Sequence, residues 1–269
     1  MRTIPHTIAR YVGLLKLFAH NSVLTNLEYR VNFAGALLMS LLDALWAVGG
    51  AVLFYSHRAT LGGWTFPEAL VVVGMFFIAS GFLDAFLQPN LRDVIEAVRT
   101  GAMDYVLIKP ISPMFHATLR RFRLEKLSSL GVGLALIGYA LAQLRLWPGT
   151  ERWIAFLGLG LAALILLYAL MAMLTALCFW VVDIANIEEL VFGVLDVARF
   201  PAQAFPEPVR GIISLVIPIA FVSTVPAEAL LGRLTPAMAL YGLAWAGAAL
   251  LLSVLVWRAA VSRYTSASS

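Results

Sequence analysis

Between Trp153 and Val182 the chain runs for thirty residues without one Asp, Glu, Lys or Arg. As a helix rising ~1.5 Å per residue this stretch is roughly 45 Å long, against a bilayer hydrocarbon core of ~30 Å. It therefore crosses a membrane and either tilts or projects beyond it. The whole sequence agrees: 61% of the 269 residues are hydrophobic and 13% charged, about half the charged fraction of an ordinary soluble domain. The expected fold is an all-α polytopic membrane protein.

The other spans follow from apolar runs and the charges that bound them. Residues 1–28 form an interfacial arm in which Ile8, Val12, Leu15 and Phe18 recur at helical spacing, with Arg2, His6, Arg10, Lys16 and His20 between them. Arg10 and Lys16 also interrupt any signal-type apolar core. The first span, 31–56, carries Asp43 near its middle. A carboxylate there is costly against lipid and is expected to face protein or a water-filled path, as a structural hydrogen-bonding group or as a substrate contact. The second span, 67–87, opens on Pro67 and has Asp84 near its far end. The third, 127–144, contains Gly131, Gly133 and Gly138, small residues suited to close helix packing. The fourth is 153–182 and the sixth 236–257.

The fifth crossing has two readings. Residues 183–208 can be a loop that leads to a span at 211–231. Alternatively the span is 184–205, with 209–231 folded back as a re-entrant helical hairpin. Pro218 and Pro226 favour broken pieces in the later segment. Glu188, Glu189, Asp196 and Arg199 count against the earlier one unless they face a partner subunit or a cavity, with Asp196 and Arg199 paired at i, i+3.

Residues 90–113 are a charged island between spans two and three. Leu91, Val94, Ile95 and Val98 share one helical face, and Arg92, Asp93, Glu96 and Arg99 lie toward the other. Asn90 is placed to cap the first turn, and Gly101 to end the helix in the left-handed conformation. Such a helix suits a soluble partner that presses on the membrane domain; a solvated connector fits the same pattern. Arg120, Arg121, Arg123 and Lys126 follow, an orientation signal and anchor for anionic lipid. With six spans and both termini on the side of this island, thirteen basic residues fall on that side and four on the other. That asymmetry makes it the cytoplasmic side.

Most chemistries are absent from the sequence. No histidine lies within a span and there is no H-E-x-x-H, so hydrolytic machinery is missing, and the lone Cys178 provides no thiol cluster. No G-x-x-x-x-G-K-[ST] loop occurs, so energy from ATP would have to come from another polypeptide. The net charge of +4 does not point to nucleic acid, because the basic residues gather at the ends of apolar runs.

Two runs carry a family resemblance: RTGAMDYVLIKPISP at Arg99–Pro113 and RFPAQAFPEPVRGIISLVIPIAFVSTVPAEALLG at Arg199–Gly232. With the six spans and the interfacial arm, they resemble permease subunits of ABC-2 type exporters, in particular a bacterial subgroup of viologen and drug exporters. The resemblance favours the re-entrant reading of 209–231. It implies that Leu91, Arg92, Asp93, Val94, Ile95, Glu96, Val98, Arg99 and Gly101 form a coupling helix seated in an ATPase subunit. It also implies that ATP and Mg are bound by that subunit and no cofactor by this chain, and that a second permease, identical or related, completes the path. The location implied is the bacterial cytoplasmic membrane. The expected cargo is a hydrophobic or amphiphilic small molecule, with Asp43 and Asp84 leaning toward cations. Two other functions remain open at this point: a proton-coupled secondary transporter with Asp43 as relay, or a membrane scaffold that transports nothing.

Overall fold

The run from Ala69 to Phe77 is buried at every position, and a helix apolar all round belongs at the centre of its bundle. The computed structural model describes residues 4–27, 30–180, 193, 195–216 and 220–264. Among these its regular structure is helical, with one isolated bridge between Leu61 and Trp64 and no strand. We number the helices in chain order: α1 (Ile4–Leu27), α2 (Arg30–Ser56), α3 (Phe66–Phe82), α4 (Gln88–Arg99), α5 (Asp104–Leu107), α6 (Pro113–Thr118), α7 (Ser128–Gln143), α8 (Thr150–Leu177), α9 (Glu207–Gly211), α10 (Ala220–Leu231) and α11 (Pro236–Ser262). Five helical stretches in the described residues are long and apolar enough to cross a membrane: 32–56, 66–99, 124–143, 150–177 and 236–262. Residues 184–192 and 194 of the predicted fifth crossing, Glu188 and Glu189 among them, lie outside the described residues.

Around α3 the bundle closes by small-residue contact. Gly74 on α3 and Gly133 on α7 meet backbone to backbone: a Cβ added at Gly74 would lie 2.6 Å from Ile137 Cγ1 and 2.7 Å from the Gly133 carbonyl. Of the three glycines expected to mediate packing, only Gly133 does so, because Gly131 and Gly138 face open space. On the other side α8 packs against α10 and α11, where Leu159, Ala163, Leu166, Phe221, Val225 and Ala249 share one apolar cluster. The peripheral α2 touches the bundle along Ser40, Ala44 and Ala51, whose burial follows the helical repeat. The Ser40 hydroxyl lies 2.9 Å from that of Ser128 and 3.0 Å from that of Ser129, tying α2 to the start of α7.

The second span and the island after it form one continuous helix from Phe66 to Arg99, 34 residues long. Its entrance is set by Thr65, whose N–H and hydroxyl both donate to Glu68 Oε2 at 2.8 Å. Pro89 does not break the helix. One turn earlier, Leu83–Leu87 widen into a π-turn, and Gln88 N–H bonds back to the Leu83 carbonyl. The Ala85 carbonyl, four residues before the proline and deprived of its usual donor, accepts from Arg123 N–H at 2.8 Å instead. Asn90 is thus well inside a helix rather than capping one.

Residues 200–206 leave the helical path, with a 3-10 turn at Ala202–Ala204. Where 184–205 was expected to stay helical to its end, the helical path stops before Pro201. The fully buried helix α10 satisfies the exposed backbone: Ser223 Oγ donates to the Ala198 carbonyl at 2.6 Å, and Thr224 Oγ1 accepts from Ala202 N–H at 3.2 Å. At the same end, Trp64 Nε1 donates to Gln203 Oε1 (3.1 Å) and Gln203 Nε2 to Glu228 Oε1 (2.7 Å). Arg233 lies over the Trp64 ring and donates to Glu68 Oε1 at 2.6 Å. The short helices 207–216 and α10 occupy the segment expected to be re-entrant.

The glycine contacts predict opposite signs for two matched substitutions. Gly74→Ala is expected to lower the melting temperature of the detergent-purified chain, consistent with an overpacking cost of ~1–3 kcal/mol. Gly138→Ala should leave it unchanged or raise it, since alanine favours a helix over glycine by up to ~1 kcal/mol.

Candidate functional site

The charged island ends the bundle opposite the Trp64 cluster, and Asn90 holds it there. This side chain is 1% exposed. Its Nδ2 donates to the Phe86 and Arg121 carbonyls (2.7 and 2.8 Å), and its Oδ1 accepts from the N–H groups of Arg120 (3.0 Å) and Arg121 (2.8 Å). All four hydrogen-bonding positions of the carboxamide are thereby used. Each backbone group left unpaired by its removal would cost ~1–3 kcal/mol.

The apolar face of α4 is turned inward. Leu91 packs with Leu83, Leu87, Met171 and Leu195, and Val94 with Met103, Met114, Ala172 and Trp257. Ile95 and Val98 are half-buried against the same two clusters. Within the chain the apolar stripe of α4 rests on the bundle, and Ile95 and Val98 keep part of their surface exposed. Arg92, Glu96 and Arg99 remain exposed. Glu96 and Arg99 pair at 2.9 Å, a contact too solvated to contribute much stability. Asp93 turns sideways to Arg121 (3.0 Å) and Arg120 (3.6 Å).

Gly101 ends α4 with φ +74°, in the left-handed conformation anticipated for it. Its N–H reaches the Val98 carbonyl at 3.4 Å, and Met103 N–H reaches that of Ala97 at 3.0 Å. Beyond this turn Tyr105 is 71% and Ile108 78% exposed. These two large apolar side chains flank the elbow between α4 and α6 and were not singled out from the sequence. The signal was present as the run DYVLIK, but Val106 and Leu107 are equally apolar and turn inward.

Helix α1 lies along the far side of the elbow. Arg10 donates to the Pro110 carbonyl at 2.7 Å, Tyr11 Oη accepts from Ser112 N–H at 3.0 Å, and Ser22 Oγ accepts from Phe122 N–H at 3.1 Å. Tyr11 meets Phe115 edge-on, and Phe18 meets His116. His116 is buried, and Lys109 Nζ donates to its Nε2 at 3.0 Å, which leaves the ring proton on Nδ1. Desolvation, with the nearby charges of Lys109 and Arg120, lowers its pKa to about 4.

The remaining acidic candidates do not converge. Asp43 lies on the exposed face of α2, away from the Ser40–Ala44–Ala51 contact line, so within one chain it does not reach the interior expected for it. Asp84 is part of the π-turn and half-buried. Asp196 and Arg199 do pair, at 3.0 Å, and Arg199 sits 4.9 Å over Phe76. They border an apolar cavity of about 290 Å³ whose walls include Trp46, Phe54, Val73 and Phe200.

The family model for ABC-2 family transporter proteins matches residues 33–268, almost the whole chain. The chain belongs to the ABC-2 family. No curated protein and no solved structure matches it. This ABC-2 protein is accordingly a multi-pass membrane transport protein of the permease type. In this ABC-2 chain α4 is the charged end of the second span's helix, with its apolar stripe still packed on the bundle.

Burial of neutral His116 gives the elbow a pH dependence. The unfolded chain takes up a proton near the ordinary histidine pKa of ~6.5, and the folded chain not until about 4. Stability should therefore be complete above pH ~6.5 and fall as pH drops toward 4. The melting temperature of the purified protein is expected to fall by several degrees between pH 7.5 and pH 5, and His116→Gln should flatten that slope.

Proposed function

We propose that this chain is the membrane-spanning subunit of an ABC exporter, driven by a separate ATPase subunit that bears on the α4–α5 elbow. The observation that supports this reading is the unbroken helix Phe66–Arg99, which joins the bundle centre to a surface-exposed elbow. A helix whose one end is locked among α7, α8 and α10 can transmit displacement at the other end into the bundle. The orientation proposed puts the elbow in the cytoplasm, following the basic residues concentrated there.

On this reading the ATPase contacts exposed side chains: Arg92, Glu96 and Arg99 on α4, with Tyr105 and Ile108 beyond Gly101. The inward stripe of Leu91, Val94, Ile95 and Val98 sets how the elbow is seated on its own bundle. A second permease, identical or related, would cover the exposed face of α2, where Asp43 lies among Met39, Leu42 and Trp46. The cargo proposed is an amphiphile, with Asp43 favouring a cationic group.

Co-purification tests the central claim. The tagged chain should bring down a subunit with a phosphate-binding P-loop, and Tyr105→Asp with Ile108→Asp should reduce its recovery at least tenfold with no change in the permease's melting temperature. Ile95→Asp should instead lower that temperature, because it places a charge against the chain's own apolar cluster. Absence of any ATPase from the wild-type preparation would overturn the proposal. For the cargo, Asp43→Asn is expected to reduce export of cationic amphiphiles severalfold in vesicles while sparing neutral ones.

A further inference from the structure

The arginines that follow the elbow converge instead of spreading over a surface. Arg92 on α4 and Arg120, Arg121 and Arg123 on the non-helical segment before α7 line a cleft of about 710 Å³, whose far wall is α1 through Phe18 and Ser22. Two carboxylates share the cleft, Asp93 and Glu125, and Glu125 pairs with Arg123 at 3.3 Å. The pairings do not exhaust the guanidiniums. Asp93 serves both Arg120 and Arg121, at 3.6 and 3.0 Å, and each guanidinium carries about five N–H donors. Both of these side chains stay substantially exposed, 43% and 59%. Their positions are set by backbone: Asn90 fixes Arg120 and Arg121, and the Ala85 carbonyl fixes Arg123.

The surroundings place this cleft at the level of lipid headgroups. Helix α1 exposes Val12, Leu17 and Leu24, about half of each, while His20 and Lys16 are exposed among them. An amphipathic helix with that distribution rests its apolar side chains at the acyl boundary. Directly after it comes α2, whose exposed face is almost wholly apolar. A headgroup seated among the arginines would have its chains beside α1 and Phe18.

We propose that the cleft between α1, α4 and residues 120–125 is a binding site for a phosphate ester, with an anionic phospholipid as its source. Guanidiniums bind phosphate oxygens in bidentate pairs, and basic pockets beside spans recruit anionic headgroups in this way. The bound phosphate would take donors that Asp93 shares and bridge α1 to the α4 elbow.

The test is lipid retention by the purified full-length chain, together with any ATPase that accompanies it, from micelles holding equal phosphatidylglycerol and phosphatidylcholine, read by native mass spectrometry. Phosphatidylglycerol should be retained selectively. Arg120→Gln with Arg121→Gln should reduce its retention by about tenfold, the equivalent of 1.4 kcal/mol. Arg258→Gln, an exposed charge elsewhere, should leave it unchanged. Asp93→Asn removes the competing carboxylate and should raise retention, and it decides the question alone if the double variant does not fold. Displacement of the lipid by millimolar inorganic phosphate would support the phosphate site with a soluble source; failure to displace it would support the headgroup. Equal retention of the two lipids overturns the proposal, and so does loss in Arg258→Gln matching that of the double variant, or no change in Asp93→Asn. Retention is read without ATP, so a negative result would not bear on the exporter reading.

Discussion

A single carboxamide ties the charged end of the second span's helix to the segment that leads into α7. Asn90 spends its whole hydrogen-bonding capacity on backbone, two groups on Arg121, one on Arg120 and one on Phe86. The partners are chosen by necessity. Pro89 disturbs the helical ladder immediately before Asn90, and residues 119–123 are not helical, so both segments have backbone groups that need partners. Arg123 N–H and the Ala85 carbonyl complete the same seam. The distal end of the bundle follows the same logic with different residues: Ser223 and Thr224 supply the partners that the broken path at 198–202 lacks.

This arrangement has a mechanical consequence. A π-turn lies between the bundle-locked α3 and the elbow helix α4, the kind of local widening that often accompanies functional sites. The bonds made within it, at Ala85, and just after it, at Asn90, tie α4 to the segment that leads into α7, so displacement of one also moves the other. Motion at the elbow would then reach two spans together, the one ending in α4 and the one beginning at α7. Since α3 and α7 are already in backbone contact at Gly74 and Gly133, they would move as a pair.

Much of this was legible in the sequence. The spans follow from hydrophobic runs bounded by charge, and Gly101 from the need for a left-handed residue. Asn90 was read as a cap because an asparagine before an amphipathic run usually is one. Three of its four hydrogen bonds go to residues about thirty positions away, where local pattern has no reach. The inward turn of the α4 stripe was hidden for a related reason. Periodicity shows that Leu91, Val94, Ile95 and Val98 share a face, and only tertiary contacts decide whether that face meets the chain's own bundle or a partner. Tyr105 and Ile108 were missed because a short apolar run carries no sign of which members face outward.

The exposed face of α2 carries the strongest constraint on the assembly. An aspartate near the middle of a membrane helix costs ~2.5–3.5 kcal/mol on insertion scales. Among the described residues Asp43 is exposed, off the contact line of α2, which runs through Ser40, Ala44 and Ala51. Lipid would leave that cost uncompensated; a facing protein surface or a water-filled path would not. The same side of the molecule holds the cavity between Trp46, Phe54 and Phe200 with its Asp196–Arg199 pair. A second permease laid over α2 would enclose both features at once. The residue that looks misplaced in a single chain then becomes part of a wall between two.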